Sequence, residues 1–224
     1  MVRKTSEAGQ AAPIYTAMVA GLLFLALAFF AVGQAGATRN GAQSAADAAA
    51  LAAAQESRDQ FRDNLLGNLF EPGYLDDIFN GRPLGTFNGC AAAGRFADKN
   101  EANLDTSKLS GGCTMTGDGR WAFRVDVVTK EPMGDSVLPG TEDEKAEAHA
   151  TAVVVPRCTF EPAEEDGAPE EPEEPGEPGE PGEDEEEPVS PGKLFCDGKG
   201  LSIDPVDFVL PDMSVLFSVR LAED

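Results

Sequence analysis

The sequence has little of the chemistry on which most enzymes depend. It contains one histidine, His149, and 17 Lys and Arg against 40 Asp and Glu among 224 residues. A single imidazole excludes mechanisms that use paired histidines. The lack of a Lys/Arg cluster excludes nucleic-acid binding through phosphate contacts. None of the patterns GxSxG, GxxxxGK[ST], HExxH and GxGxxG occurs, so we expect no catalytic residue, metal site or cofactor.

Acidic pairs are the remaining catalytic candidates. Asp76-Asp77 and the group Asp204, Asp207 and Asp212 lie in stretches typical of turns and strand ends. We therefore interpret them as solvated loop residues. Paired carboxylates hydrolyse glycosides when a shaped cleft holds them, so an exported hydrolase that uses Asp76 or Asp77 is kept as an alternative.

Charge is absent from residues 8–38. Within that stretch, Ile14 to Val32 is nearly pure apolar sequence of 19 residues. As a helix it would be about 28 Å long, which is close to the thickness of a bilayer hydrocarbon core. We expect residues 14–32 to form a single transmembrane helix, because a helix satisfies its own backbone hydrogen bonds inside lipid.

The charges that flank this span predict its orientation. Arg3 and Lys4 precede it, and the positive-inside rule then places residues 1–13 in the cytoplasm. Everything after Arg39 would lie outside the cytoplasm. The expected location is the cell membrane, with one span and an extracytoplasmic C-terminal domain.

A secretory signal peptide is the alternative interpretation of the same segment. Ala35-Gly36-Ala37 resembles a small-x-small cleavage site, and Arg3 and Lys4 would form the basic region before it. The apolar run is longer than the usual 7–15 residues of a signal peptide, which favours an uncleaved anchor. Cleavage after Ala37 would instead release a secreted binding module.

The four cysteines agree with export. An even number of cysteines in an exported chain predicts disulfides. Three connectivities are possible, and we prefer the pairs that are neighbours in sequence. No CxxC spacing occurs, which argues against a zinc site. The preferred pairs are Cys90–Cys113 and Cys158–Cys196.

An alanine-rich helix is expected directly after the span, over residues 33–69. It has no proline, and alanine is the strongest helix former. Its larger residues recur at spacings of three and four and form one mostly apolar stripe: Leu51, Ala54, Arg58, Phe61, Leu65 and Leu69. Small residues allow another helix to approach closely; the candidates for such packing, including homo-oligomer contacts, are Ala46, Ala49, Ala50, Leu51 and Ala53. The alternative is that this helix packs on its own domain.

The N-terminal quarter of the chain resembles a known family. The features that carry the resemblance are a short basic head, Gly9-Gln10, an uninterrupted apolar helix and the stretch Gln43–Ala54, QSAADAAALAAA. Over residues 8–56 this is similar to the TadE/TadG-like proteins of bacterial tight-adherence (Flp) pilus systems. The resemblance implies a membrane-anchored, pseudopilin-like, non-enzymatic component of pilus assembly or of an allied secretion system, whose partners are other pilus-assembly membrane proteins.

The resemblance also bears on processing of the N-terminus. Some proteins of this type are cut after a glycine by a prepilin peptidase, and Gly9 is the matching position. The family pattern has a glutamate five residues past the cut, whereas this chain has Ile14 there. Processing at Gly9 and retention of an uncut anchor therefore both stay open.

Residues 70–160 and 189–224 are expected to form a small α+β domain with an antiparallel sheet. Trp121 to Thr129 alternates apolar and polar residues, as a half-buried strand does. The other expected strands are residues 149–155, 202–210 and 214–221. Four strands and one long helix favour an α+β fold.

An acidic segment interrupts this domain at residues 161–188. It carries 15 of the 40 acidic residues and no Lys or Arg. Because it has almost no apolar residues to bury, it cannot offset the entropy lost on ordering, and we expect a disordered Glu/Pro/Gly-rich loop. A weak calcium or cell-wall contact is the alternative function, although no EF-hand pattern is present. The Ala/Gly/Pro/Glu bias of the whole chain is typical of a GC-rich bacterium, such as an actinobacterium.

Overall fold

The computed structural model describes residues 11–81, 87–132, 140, 143–163 and 190–223. These residues contain four α-helices and eight β-strands, which confirms the expected α+β class. The helices are α1 (Ala11–Gly67), α2 (Tyr74–Phe79), α3 (Cys90–Lys99) and α4 (Met213–Leu216). The strands are β1 (Ala102–Leu104), β2 (Cys113–Met115), β3 (Ala122–Thr129), β4 (Glu147–Pro156), β5 (Cys158–Pro162), β6 (Gly192–Cys196), β7 (Lys199–Ser202) and β8 (Phe217–Leu221).

Helix α1 is continuous over 57 residues. The apolar stretch and the alanine-rich stretch are therefore one element. The one proline within these bounds, Pro13, does not interrupt the helix. The predicted apolar stripe is confirmed, because Ala54, Phe61, Leu65 and Leu69 are all buried.

The larger sheet has the strand order β1-β3-β4-β8, and β2 also pairs with β3. Strand β1 is antiparallel to β3, with Ala102 opposite Thr129. Strand β4 is antiparallel to β8, with Ala152 opposite Leu221. The predicted face of β3 is confirmed, since its alternate residues from Phe123 to Val127 are fully buried while Arg124 is exposed.

The smaller sheet has the order β5-β6-β7 and is antiparallel throughout. Cys158 lies directly opposite Cys196, and Pro162 lies opposite Gly192. The first residues of the expected acidic loop, Glu161 and Pro162, are thus part of β5, because their backbone pairs with β6. Residues 164–189, which hold most of that loop, lie outside the described residues.

Two of the expected strands are wrong in extent. Strand β7 ends at Ser202, and the chain then turns, because the Asp204 carboxylate accepts hydrogen bonds from the backbone N–H groups of Val206 and Asp207. The strand expected from residue 214 begins as helix α4, since the Asp212 carboxylate caps the N–H of Ser214. Strands β1, β2, β5 and β6 were not predicted.

The chain forms two compact units. The first contains α1 up to Ala50 together with residues 90–114 and 124–151. In it, α3 packs on β1, and Cys90 at the start of α3 is bonded to Cys113 at the start of β2.

The second unit contains α1 from Leu51, with residues up to 89, 115–123 and 152–224. Its centre is an aromatic cluster. Phe61 and Phe217 lie edge-on to Trp121 with ring centroids 5.1 and 5.6 Å away, and Phe79 stacks on Phe217 at 5.3 Å. Rings of this size bury the most apolar area per residue, so this cluster is the main core of the unit.

Candidate functional site

The first part of α1 presents an apolar surface that no part of the described chain covers. From Ile14 to Val32 the large apolar side chains are exposed, from 38% for Val19 to 76% for Phe29. A soluble fold would bury such side chains, because each Leu or Phe gains about 1.5–3 kcal/mol on leaving water. This surface therefore requires an apolar environment.

Among the described residues, α1 is the one helix that is long and apolar enough to cross a membrane. The most apolar stretch of the helix has no residue buried inside the fold. These two facts agree with the expected span over residues 14–32.

A bare stretch of helix follows the apolar run. Residues 33–41 are exposed apart from the half-buried Thr38, whose hydroxyl donates to the Gln34 carbonyl at 3.2 Å. A Cβ placed on Gly33, Gly36 or Gly41 would meet nothing within 4 Å. The candidate cleavage residue Ala37 lies in this stretch, exposed and within the helix, whereas Gly9 lies outside the described residues.

Burial by the rest of the fold begins at Ala42. Four of the five residues expected to contact another helix, Ala46, Ala49, Ala50 and Ala53, have no exposed surface, and Leu51 is half-buried. Because a single chain is present, this chain itself covers them. The burial therefore favours the alternative in which the alanine-rich helix packs on its own domain.

In the first unit, Gln43 ties α1 to β4. Its amide nitrogen donates to the Asp47 carboxylate at 2.8 Å and to the carbonyl of His149 at 3.2 Å. Asp47, the one charge in the alanine stretch, is thus held within this chain. His149 is exposed and contributes its backbone carbonyl to this contact.

In the second unit, the segment before α3 lies directly on α1. A Cβ on Gly89 would come 1.8 Å from the carbonyl oxygen of Ala53, so only glycine permits this approach. One turn further along α1, the Ser57 hydroxyl donates to the Phe87 carbonyl at 2.6 Å. Sequence reasoning missed both contacts; the signal for them was a polar serine within an otherwise apolar helix face.

The preferred disulfide pairing is the one in the structure. Cys90 is bonded to Cys113 and Cys158 to Cys196, with Cα–Cα distances of 5.7 and 4.2 Å. The first bond lies in the first unit and the second joins β5 to β6. Bonds of this kind persist in oxidising compartments outside the cytoplasm.

A polar cleft of about 310 Å³ lies in the first unit, and its two cations are each paired with carboxylates of the same cleft. Lys108 lies 3.1 Å from Glu147 and 3.5 Å from the Oδ2 of Asp105, and Arg124 lies 3.2 Å from Asp126. The hydrogen bond to Glu147 raises the pKa of Lys108. The Ser107 hydroxyl, which donates to Asp105 at 2.6 Å, holds the pKa of that buried carboxyl below its usual range.

This arrangement stabilises a turn and does not resemble a catalytic pair. Both donors from Ser107, the hydroxyl and the backbone N–H, reach the same oxygen of Asp105, as in an Asx-turn. The other oxygen, Oδ2, is buried and accepts no hydrogen bond.

The acidic pairs do not converge on a cleft. Asp76 and Asp77 are exposed on the six-residue helix α2, and Asp76 accepts a hydrogen bond from Asn80 at 2.8 Å. Asp204 and Asp212 accept local backbone hydrogen bonds in separate turns. No three His, Cys, Asp or Glu side chains in the described part of the chain are grouped so that they could hold a metal ion.

Comparison with known families finds a match in the N-terminal segment. Residues 9–56 match the family model described as "Putative Flp pilus-assembly TadE/G-like", which confirms the resemblance noted above. The match covers the exposed apolar helix and the alanine-rich stretch, and the remainder of the chain lies outside it. Neither a curated protein nor a solved structure matches the chain.

Proposed function

We propose that this protein is a membrane-anchored component of a tight-adherence pilus-assembly system, or of an allied secretion system, with its folded domain outside the cytoplasm. The observation that carries the proposal is the match over residues 9–56 to a Flp pilus-assembly family. That matched segment is the one that combines an exposed apolar helix with a buried alanine-rich extension.

The orientation follows from the flanking chemistry. Arg3 and Lys4 lie before the span, which favours a cytoplasmic N-terminus. Both disulfides lie after the span, on the side where the compartment is oxidising if the N-terminus is cytoplasmic. The two arguments are independent and agree.

The mode of action is protein–protein contact. Since Ala46, Ala49, Ala50 and Ala53 are covered by this chain, they serve the fold and are not available to a neighbouring helix. Contacts with other membrane components, or with a second copy, would then fall on the exposed part of α1 before Ala42. In this proposal the alanine-rich stretch joins the membrane anchor to the folded domain.

A secreted binding module is the second candidate, and one observation favours it. The fold buries nothing before Ala42, so cleavage after Ala37 would leave every buried residue of α1 with the released domain. Such a product would keep both disulfides and lose the apolar surface.

One experiment separates the two candidates. The intact mass of the mature protein is measured in the membrane fraction and in the medium, with and without reductant. An anchored protein gives a full-length or Gly9-trimmed mass in the membrane that increases by about four hydrogen masses on reduction, as two disulfides require. A form beginning at Thr38 in the medium would replace the anchored proposal with the secreted one.

Participation in pilus assembly needs a genetic test. Deletion of the gene in its own host should abolish surface pili, and the full-length gene should restore them. A variant that carries an unrelated signal peptide in place of residues 1–37 should be exported, folded and unable to restore pili. Normal piliation in the deletion strain would contradict the assembly role while leaving the anchor untouched.

A further inference from the structure

Arg39 is an isolated charge on the bare part of α1. It is the only charged residue between positions 11 and 46. Its side chain is exposed, and in the part of the chain that the structure describes it makes no ion pair. The next charge along the helix, Asp47, lies eight residues further and accepts a hydrogen bond from Gln43. The guanidinium therefore has no partner on α1.

The position of Arg39 relative to the apolar run is fixed by helix geometry. Arg39 lies seven positions after Val32, so its Cα is about 10 Å beyond the end of the run. Side chains on a helix tilt toward the N-terminus, which here is the direction of the bilayer. An arginine side chain spans roughly 6 Å. The guanidinium therefore reaches to about 4 Å beyond the hydrocarbon edge, inside the headgroup layer of about 5–7 Å.

Lipid headgroups can reach the guanidinium of Arg39 without meeting another part of the described chain. The neighbouring residues of the stretch 33–41 are small or exposed, and a Cβ on Gly36 or Gly41 would meet no atom within 4 Å. The Thr38 hydroxyl is used by the Gln34 carbonyl. Nothing described in the fold competes with lipid for the space around Arg39.

We propose that Arg39 binds the phosphate of an anionic phospholipid in the outer leaflet and thereby fixes the depth of α1 in the membrane. A guanidinium presents two parallel N–H donors that match a phosphate, and an anionic headgroup supplies the counter-charge that Arg39 does not find among the described residues. The inference rests on the proposed function, because it requires that α1 spans the membrane.

The test uses the full-length protein in nanodiscs of phosphatidylglycerol and phosphatidylcholine in equal amounts. The protein is extracted with mild detergent, and the lipids retained per protein are counted by mass spectrometry. Wild type should retain phosphatidylglycerol in preference, and Arg39→Gln should lower that preference about fivefold, as expected for one cation at an anionic surface. Arg39→Lys should keep most of it.

Arg62→Gln is the matched control. Arg62 is an exposed arginine on the same helix, about 35 Å further from the bilayer than Arg39, and its removal should leave the retained lipids unchanged. Inorganic phosphate added at matched ionic strength should also leave the preference unchanged. Loss of the preference in that arm would assign the site to free phosphate and overturn the lipid proposal.

Equal lipid preference in wild type and Arg39→Gln would overturn the proposal, as would an equal loss in Arg62→Gln. Failure of the anchor itself has a different readout. In that case the protein elutes apart from the nanodiscs, whereas a failed lipid proposal leaves the protein in the discs with no preference.

Discussion

The indole N–H of Trp121 donates a hydrogen bond of 2.9 Å to the hydroxyl of Ser57 on helix α1. Ser57 has no exposed surface, and its hydroxyl in turn donates to the carbonyl of Phe87. One buried hydroxyl therefore pairs with two other polar groups, the buried N–H of Trp121 and the carbonyl of the half-buried Phe87. The serine is the polar centre of a core that is otherwise aromatic.

Replacement of Ser57 by alanine should destabilise the protein by about 1–3 kcal/mol, because the buried Trp121 N–H would be left without a partner. The measurement is chemical denaturation in micelles, followed by the fluorescence of Trp121, the single tryptophan. Ser44→Ala, at an exposed position of the same helix, is the control. Equal stability of the two variants would show that the buried hydroxyl contributes nothing.

Two glycine-to-alanine substitutions near or on α1 should have opposite effects. At Gly89 the new methyl group would lie 1.8 Å from the Ala53 carbonyl, so the segment before α3 must move away from the helix, and stability should fall. At Gly41 the new Cβ meets nothing within 4 Å, and alanine should strengthen the helix by about 0.5–1 kcal/mol. Thermal melts show whether each variant gains or loses stability. An unchanged melting temperature for Gly89→Ala would contradict the close approach of Gly89 to the Ala53 carbonyl.

Local signals explain which elements the sequence predicts. Alanine content and three–four spacing predict most of α1, and alternation predicts the buried face of β3. The strand expected at residues 202–210 fails because Asp204 uses two backbone N–H groups in a turn, which alternation does not reveal. Strand β5 was missed because it is only five residues long and its pairing partner, β6, lies beyond the acidic segment.

The partner of the alanine-rich face is the part of the candidate site that sequence does not determine. Small residues pack equally well against a neighbouring helix and against the domain that follows in the same chain. Only the fold distinguishes the two, through the complete burial of Ala46 and Ala53. The apolar span can be predicted from the sequence without the fold, because its length and its lack of charge are enough to indicate a membrane helix.

Glutamate at Ala49 and Ala53 should unfold the domain. Both alanines are fully buried, and an unpaired buried charge is among the most destabilising of changes. The expected result is normal membrane insertion with a domain that proteases degrade. Gln55→Glu, at an exposed position of the same helix, should resist digestion as wild type does. Protease resistance of the double variant would show that these positions face outward, toward another helix.

The acidic segment should be removable without loss of the fold. Strand β5 leaves the sheet at Pro162, which pairs with Gly192 of β6, and Ala163 donates to the carbonyl of Pro191. Ala163 and Pro191, which flank the acidic segment, are therefore neighbours, and a short Asn-Gly turn can join the two strands there. The shortened chain should keep both disulfides and its melting temperature within a few degrees. Loss of the Cys158–Cys196 bond, seen by mass on reduction, would mean that the segment is needed to fold this hairpin.

Stability should decrease in acid, and Asp118 should account for part of the loss. The Thr116 hydroxyl and then Arg120 hold the pKa of Asp118 to about 2, through hydrogen bonds of 2.7 and 2.6 Å. An aspartate in the unfolded chain titrates near 3.9, so the unfolded state binds the proton first. The contribution of Asp118 is therefore complete above about pH 5 and lost as pH falls toward 2.

The difference in unfolding free energy between wild type and Asp118→Asn isolates this group from Asp105 and Asp212, whose pKa values are also lowered, in both cases chiefly by a serine hydroxyl. That difference should be largest at neutral pH, should be small at pH 2 and should vanish below it, because the protonated carboxyl and the amide are then alike in charge. Asp63→Asn, at an exposed position of α1, should show no such trend. A difference that stays constant from pH 7 to pH 2 would mean that the contacts of Asp118 do not depend on its charge.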